Sequence, residues 1–260
     1  MIKSLLLPFL YYKFLLSQLI SREIKARYKQ SIMGYAWIIF SPLIQLLIYS
    51  FVFSIIFRFP TGDIPYSIFL LAGLLPWIYF QTTLSTTALV LVDNSNLIKK
   101  VYFPREVLPY SVILAKAVDL FFAALVLVAF MIFYQIPFHL TVLLLIPLFL
   151  IQVALMTGIS FFISTANLFY RDIQYVVNLF LFMWMFLTPV VYPLSLVPDK
   201  YIWLYKLNPM VGIIEGYRSA LFNFSFDSGT ILWSALISFL IFIVGFIFFK
   251  KSEKIFADIV

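Results

Sequence analysis

Residues 140–166 read LTVLLLIPLFLIQVALMTGISFFISTA, 27 positions without a single charged side chain. A helix rising about 1.5 Å per residue over that length outreaches the ~30 Å hydrocarbon layer of a bilayer. Lipid accepts the apolar outer face that water would reject, and a helix satisfies its own backbone donors and acceptors there. Five more apolar runs share the chain with it, at 34–57, 66–92, 108–134, 176–191 and 230–249. The run at 176–191 is short and closes on Thr188-Pro189, where the chain is expected to break.

Composition agrees. Hydrophobic residues make up 64% and charged residues 11%, and the mean hydropathy is +1.06. A soluble domain of this size needs far more polar surface. The expected fold is therefore all-α and polytopic: residues 34–260 form six transmembrane helices, and residues 1–33 form a separate N-terminal region. The spans use almost the whole chain, so an energy-converting domain is expected on another polypeptide. There is no cysteine, which excludes disulfides, thiolate metal sites and cysteine nucleophiles. Lys3 followed by Leu5–Tyr12 looks like a secretory signal, but no small-residue cleavage site follows.

Basic residues set the orientation. With the N-terminus inside, 14 of the 18 Lys and Arg fall on the cytoplasmic side, leaving Arg58, Lys200, Lys206 and Arg218 outside. Both termini are then cytoplasmic. The net charge of +7 in such a protein points to anionic lipids and not to nucleic acid.

Before the first span, Gln18, Arg22, Lys25 and Lys29 recur on one helical face, with Tyr12, Leu16, Leu19 and Ile20 on the other. That pattern predicts an amphipathic helix lying in the membrane interface. It serves either as a simple anchor or as a helix that holds a cytoplasmic partner. In the loop 93–109, Asn94, Ser95 and Asn96 are good caps for a short helix that Pro104 stops. Leu97, Ile98, Val101 and Phe103 are expected to face the cytoplasm, where they either fold onto the bundle or meet a partner. Between the last two spans, Tyr201–Leu207 and Met210–Phe222 are too short to cross and are expected as re-entrant outer half-helices. Glu215 and Arg218 lie one turn apart there and are expected to pair.

Catalytic and nucleotide-binding signatures are missing. None of the eight glycines belongs to a Gly-x-x-x-x-Gly-Lys-Ser/Thr loop, and His139, the lone histidine, reads as an outer-loop surface residue. Asp119 is the one carboxylate well inside a span, and Lys116 is its expected partner near the inner interface.

Four segments in order are similar to one family: Arg27-Tyr28-Lys29-Gln30-Ser31 with Gly34 and Trp37 to Pro42; Ile98–Glu106; Asn167–Ile173; and Asn208-Pro209 with Tyr217-Arg218. Together they resemble the membrane subunits of ABC type 2 exporters, especially those for O-antigen and related polysaccharides. The resemblance covers nearly the whole chain. It implies an interface helix near Pro8–Gln30, a coupling helix at Asn94–Phe103 that docks an ATPase, and re-entrant helices within Tyr192–Phe222. It also implies a homodimer with two separate ATPase subunits in a bacterial inner membrane, ATP and Mg being held by those subunits and no cofactor by this chain.

On that basis Asn96, Leu97, Ile98, Lys99, Val101, Tyr102 and Phe103 are the expected ATPase-coupling residues. Arg22, Arg27 and Lys29 are expected to dock the phosphate of a lipid-linked glycan. Trp77, Tyr79, Trp184, Tyr201 and Trp203 are expected along the glycan path, because aromatic rings stack on sugars; interfacial belts use the same residues. The expected function is the permease subunit of an ATP-driven exporter of lipid-linked O-antigen or a similar polysaccharide. The alternatives are the same fold exporting a drug, teichoic acid or other lipid, a polytopic lipid-linked sugar-processing enzyme, and a self-contained flippase or channel.

Overall fold

The computed structural model describes residues 12–28, 31–57, 59 and 64–256, and every regular element among them is helical. The helices are α1 (Lys13–Tyr28), α2 (Trp37–Ser50), α3 (Tyr66–Asp93), α4 (Ser95–Lys100), α5 (Val107–Phe133), α6 (Leu145–Phe169), α7 (Ile173–Phe186), α8 (Asp199–Lys206), α9 (Pro209–Phe222) and α10 (Ser228–Ser252). Five stretches are long and apolar enough to cross a bilayer: Gly34–Ser54, Tyr66–Asp93, Val107–Phe133, Leu140–Phe169 and Ser228–Ile255. The sixth apolar helix, α7, has 14 residues and stops before Pro189, so the expected break is present.

Hydropathy does not predict burial among the five spans. The span at Tyr66–Asp93 has the lowest mean hydropathy of the five, 1.4, yet 78% of it is buried. Ser228–Ile255 has the highest, 2.7, with 22% buried. Lipid tails are as apolar as leucine, so burial between helices comes from close packing and polar contacts, not from apolar content. Accordingly α3 is the central post. Gln152 of α6 donates to Pro76 O at 2.8 Å and accepts from the Tyr217 hydroxyl at 2.9 Å, joining α3, α6 and α9. The hydroxyls of Thr87 and Ser160 meet at 3.1 Å one layer further in.

α6 and α10 make the closest crossing. A Cβ placed on Gly158 would lie 2.5 Å from Ile241 O, and one on Gly245 would strike Gly158 O itself. Only paired glycines let the two backbones approach this far.

α2 and α7 lie at the periphery. The span containing α2 is 11% buried, and Leu179, Phe182 and Phe186 of α7 are exposed. Both helices touch α3, and the Tyr49 hydroxyl reaches Met185 Sδ at 4.0 Å.

The two segments expected as re-entrant half-helices differ in burial. α9 is buried along almost its whole length, with Asn208 Oδ1 accepting from Met210 N at 3.0 Å to cap its start. α8 is not a buried half-helix. It carries Asp199, Lys200 and Lys206 in eight residues and leaves Tyr201, Trp203 and Leu204 exposed. That charge density suits headgroup depth and not hydrocarbon.

Candidate functional site

Two apolar clusters divide the bundle, and the smaller lies at the end that carries α4. It joins Leu16 and Leu19 of α1 to Val90 and Leu91 of α3, Ile98, Phe103, Phe249 and Phe256. The apolar face of α1 therefore packs on its own bundle, leaving Gln18, Arg22 and Lys25 exposed. The loop expectation needs correcting at two positions. Ile98 and Phe103 are buried, because the short α4 turns its apolar side back onto α1 and α10. Leu97 is half-buried, whereas Asn96, Lys99, Lys100, Val101 and Tyr102 stay outside, Tyr102 at 87% exposure. The exposed surface of this loop is thus mixed basic and aromatic.

Asn94 does not cap α4 with its side chain. It donates to Val90 O at 2.7 Å and accepts from the Arg22 guanidinium, tying α1 to the turn between α3 and α4. Behind Tyr102, Arg105 places its guanidinium 5.6 Å from that ring. Arg105 N donates to Glu253 Oε1 at 3.0 Å, and Lys250 Nζ bridges Glu106 at 2.7 Å and Glu253 at 2.9 Å. Burial raises the Glu106 carboxyl above its ordinary pKa, with the Lys250 hydrogen bond working against it. This knot joins the segment after α4 to the end of α10. It escaped sequence reading because its partners lie 144 residues apart.

Of the expected phosphate-docking residues, Lys29 lies outside the described residues. Arg27 is already engaged: it pairs with Asp119 and stands 3.8 Å from Glu23. Asp119 is therefore held across helices by Arg27, because α1 lies against α5 and delivers its guanidinium there, and Lys116, its expected partner, faces the same cavity. Arg27, Lys116 and Asp119 share a cavity of about 170 Å³ with Trp37, Ser41 and Thr82. A second cavity, of about 490 Å³, lies along Tyr35, Ala36, Ile38, Ile39 and Phe122.

The aromatic residues separate into three environments. Trp77 is fully enclosed, its indole Nε1 donating to Gln81 Oε1 at 3.1 Å, so the expected path position does not hold for it in this conformation. The Tyr79 ring stacks on Phe149 at 5.9 Å and its hydroxyl donates to Ile113 O. Trp184 sits edge-on to Phe80 at 5.1 Å, half-buried. Tyr201 and Trp203 are exposed on α8.

At the opposite end of α3 from α4, Arg218 is 1% exposed and both of its end nitrogens have partners. Its Nη1 donates to Pro189 O at 2.6 Å and to Glu215 Oε1 at 2.8 Å, and its Nη2 donates to Val190 O at 2.7 Å. The guanidinium thus takes up carbonyls that the break after α7 releases. Nearby, Asp227 accepts from Lys206 Nζ at 2.8 Å and from Thr230 N at 3.1 Å. The lysine, then Thr230, hold its carboxyl well below the usual carboxylate range.

A central polar-seamed helix, peripheral apolar helices and a basic loop after α4 define a multi-pass membrane protein. The chain belongs to the ABC-2 type transporter family, which it matches over residues 15–222. It is 33% identical to the O-antigen export system permease protein RfbA of Klebsiella pneumoniae, over 94% of each chain. It is 32% identical to the protein of that name from Myxococcus xanthus over 95% of each. To the polysialic acid transport protein KpsM of Escherichia coli it is 25% identical, over 90% of this chain and 91% of that one.

Proposed function

We propose that this chain is the permease subunit of a polysaccharide ABC exporter, carrying a lipid-linked O-antigen or a similar glycan across a bacterial inner membrane. The observation that carries the reading is end-to-end similarity to two permeases named for O-antigen export. Two copies pair, each served by an ATPase subunit that supplies ATP and Mg. Asn96, Lys99, Lys100, Val101 and Tyr102 form the docking tip, with Leu97, Ile98 and Phe103 anchoring it to the bundle. Both termini are cytoplasmic, which places α4 and α1 on the ATPase side.

Motion supplies the mechanism. ATP draws the two ATPase subunits together and displaces α4. The Arg22–Asn94 contact passes that displacement to α1, and the Glu106–Lys250–Glu253 knot passes it to α10. Separation of α2 and α7 across the dimer then opens a path, consistent with their peripheral, apolar faces.

Deleting the gene in its host tests the reading. Loss of surface polysaccharide, with lipid-linked glycan accumulating on the cytoplasmic leaflet and restored by the intact gene, is expected. Unchanged surface glycan alongside loss of resistance to a drug would move the cargo to another class.

A further inference from the structure

A cavity of about 380 Å³ opens between α8 and the first turns of α10, with Trp203, Lys206 and Leu207 on one side and Asp227, Thr230 and Trp233 on the other. Its depth follows from α10. The far end of that helix packs through Phe249 in one cluster with Ile98 and Phe103. Its 25 residues rise about 37 Å, more than the ~30 Å hydrocarbon layer. The start of α10 therefore reaches headgroup depth at the end of the bundle away from α4. Two indoles and an ion pair meet there.

The ion pair presents both signs side by side. Lys206 Nζ donates to Asp227 Oδ2 at 2.8 Å, and among the described residues no other charged side chain lines the cavity. Neither group is used up. The ammonium has three donors and gives one to Asp227. The carboxylate has about four acceptor sites, of which Lys206, Thr230 Oγ1 and Thr230 N take three. Both side chains are exposed, Lys206 at 41% and Asp227 at 56%. Trp203 and Trp233 are exposed too, and an indole face attracts an alkylammonium. A phosphate suits Lys206, and an ammonium suits Asp227 and the indoles. A purely anionic headgroup would set like charge against Asp227.

Below the cavity runs a surface for hydrocarbon. Trp233, Leu236, Leu240 and Val244 follow one another at helical spacing on a single face of α10, and all four are exposed. Acyl chains hanging from a headgroup at Trp233 lie along that stripe. A sugar also stacks on indole but has no use for the leucines.

We propose that this cavity binds a zwitterionic phospholipid through its phosphoethanolamine headgroup. The phosphate lies on Lys206, the ammonium against Asp227, Trp203 and Trp233, and the acyl chains along Leu236 and Leu240. The site goes beyond the proposed export function and is independent of cargo, since it needs only a chain that spans a bilayer.

Native mass spectrometry of the full chain tests it, with release from nanodiscs of equal phosphatidylethanolamine and phosphatidylglycerol of matched acyl chains. The natural chain should retain phosphatidylethanolamine over phosphatidylglycerol by about fivefold to tenfold, the scale of one cation–π contact with one charge-assisted contact. Asp227→Asn and Trp233→Leu should each abolish that preference, and Trp233→Phe, which keeps an aromatic face, should hold most of it. Tyr201→Leu removes an exposed aromatic of α8 that does not line the cavity and should change nothing. The comparison of lipids on the natural chain needs no substitution, so it stands whatever a variant does to folding.

Equal retention of the two lipids overturns the inference, as does a preference that survives either Asp227→Asn or Trp233→Leu. Displacement of phosphatidylethanolamine by maltohexaose, lost in Trp233→Leu, would make the cavity a sugar platform instead. A disulfide between two copies of Leu236→Cys in the membrane would give the stripe to a protein contact; the chain has no cysteine of its own to confuse that readout.

Discussion

The guanidinium of Arg218 lies 3.7 Å from the centroid of the Phe69 ring, sealing one face of the cation while its edge serves Pro189 and Val190 carbonyls. A single side chain thereby joins α9, the broken segment after α7 and the central α3. Gly73, on the same face of α3, makes room: a Cβ there would lie 2.7 Å from Arg218 Nη2 and 3.0 Å from Val190 O.

Arg218→Met should leave Glu215 and two carbonyls without their donor and cost about 3–5 kcal/mol, the usual range when one partner of a buried pair is removed. Arg218→Lys keeps the charge but loses the fork and should cost less. Thermal unfolding in detergent, read by intrinsic fluorescence, orders the variants. Equal stability of Arg218→Met and the natural chain would remove this latch from consideration.

At the α6–α10 crossing, Gly158→Ala presses a methyl against the backbone of Ile241 and Phe242, which no rotamer change relieves. The expected cost is about 1–3 kcal/mol. Gly229→Ala is the control, since its new Cβ meets only Asp227 Oδ1 at an ordinary 3.4 Å. The same unfolding measurement should show a lower midpoint for the first and little change for the second.

Acid should loosen the contact between α8 and the start of α10 through Asp227. Its folded pKa is depressed, chiefly by Lys206, so its stabilisation is present above the ordinary value of 3.8 and is lost as pH falls further. Asp227→Asn should retain a cap for α10 yet lose this acid sensitivity. Unfolding midpoints compared between pH 6 and pH 3 check it; identical acid sensitivity in both proteins would count against the assignment.

Asn94→Ala should separate docking from transmission. The exposed tip at Lys99–Tyr102 remains, so the ATPase subunit should still co-purify, while loss of the Arg22 contact should lower export several-fold. Loss of co-purification instead would place Asn94 in the docking surface itself.

Much of the architecture was legible because spanning helices announce themselves by length and by uninterrupted apolar sequence. Facing was not. Leu74 of α3 is buried and Leu240 of α10 is exposed, yet both are leucines in apolar runs, and lipid and protein interior reward them alike. For Ile98 and Phe103 the apolar pattern alone allows both a partner contact and the fold-back onto the bundle that the structure shows. Trp77 shows the same ambiguity, since an aromatic ring serves a core as readily as a sugar platform. The Glu215–Arg218 spacing was readable at one helical turn, whereas the carbonyls of Pro189 and Val190 that share Arg218 were not. Arg27 and Asp119 met through the docking of α1 on α5, a long-range contact that no local spacing encodes.

Vectorial transport by the purified components is the most direct measurement. Vesicles holding this chain and its ATPase subunit should move a lipid-linked glycan to the opposite leaflet when ATP is supplied, and vesicles holding the chain alone should not. Transport at the same rate without the ATPase subunit would show that the chain drives or conducts its cargo by itself, and would contradict a permease moved from its inner face.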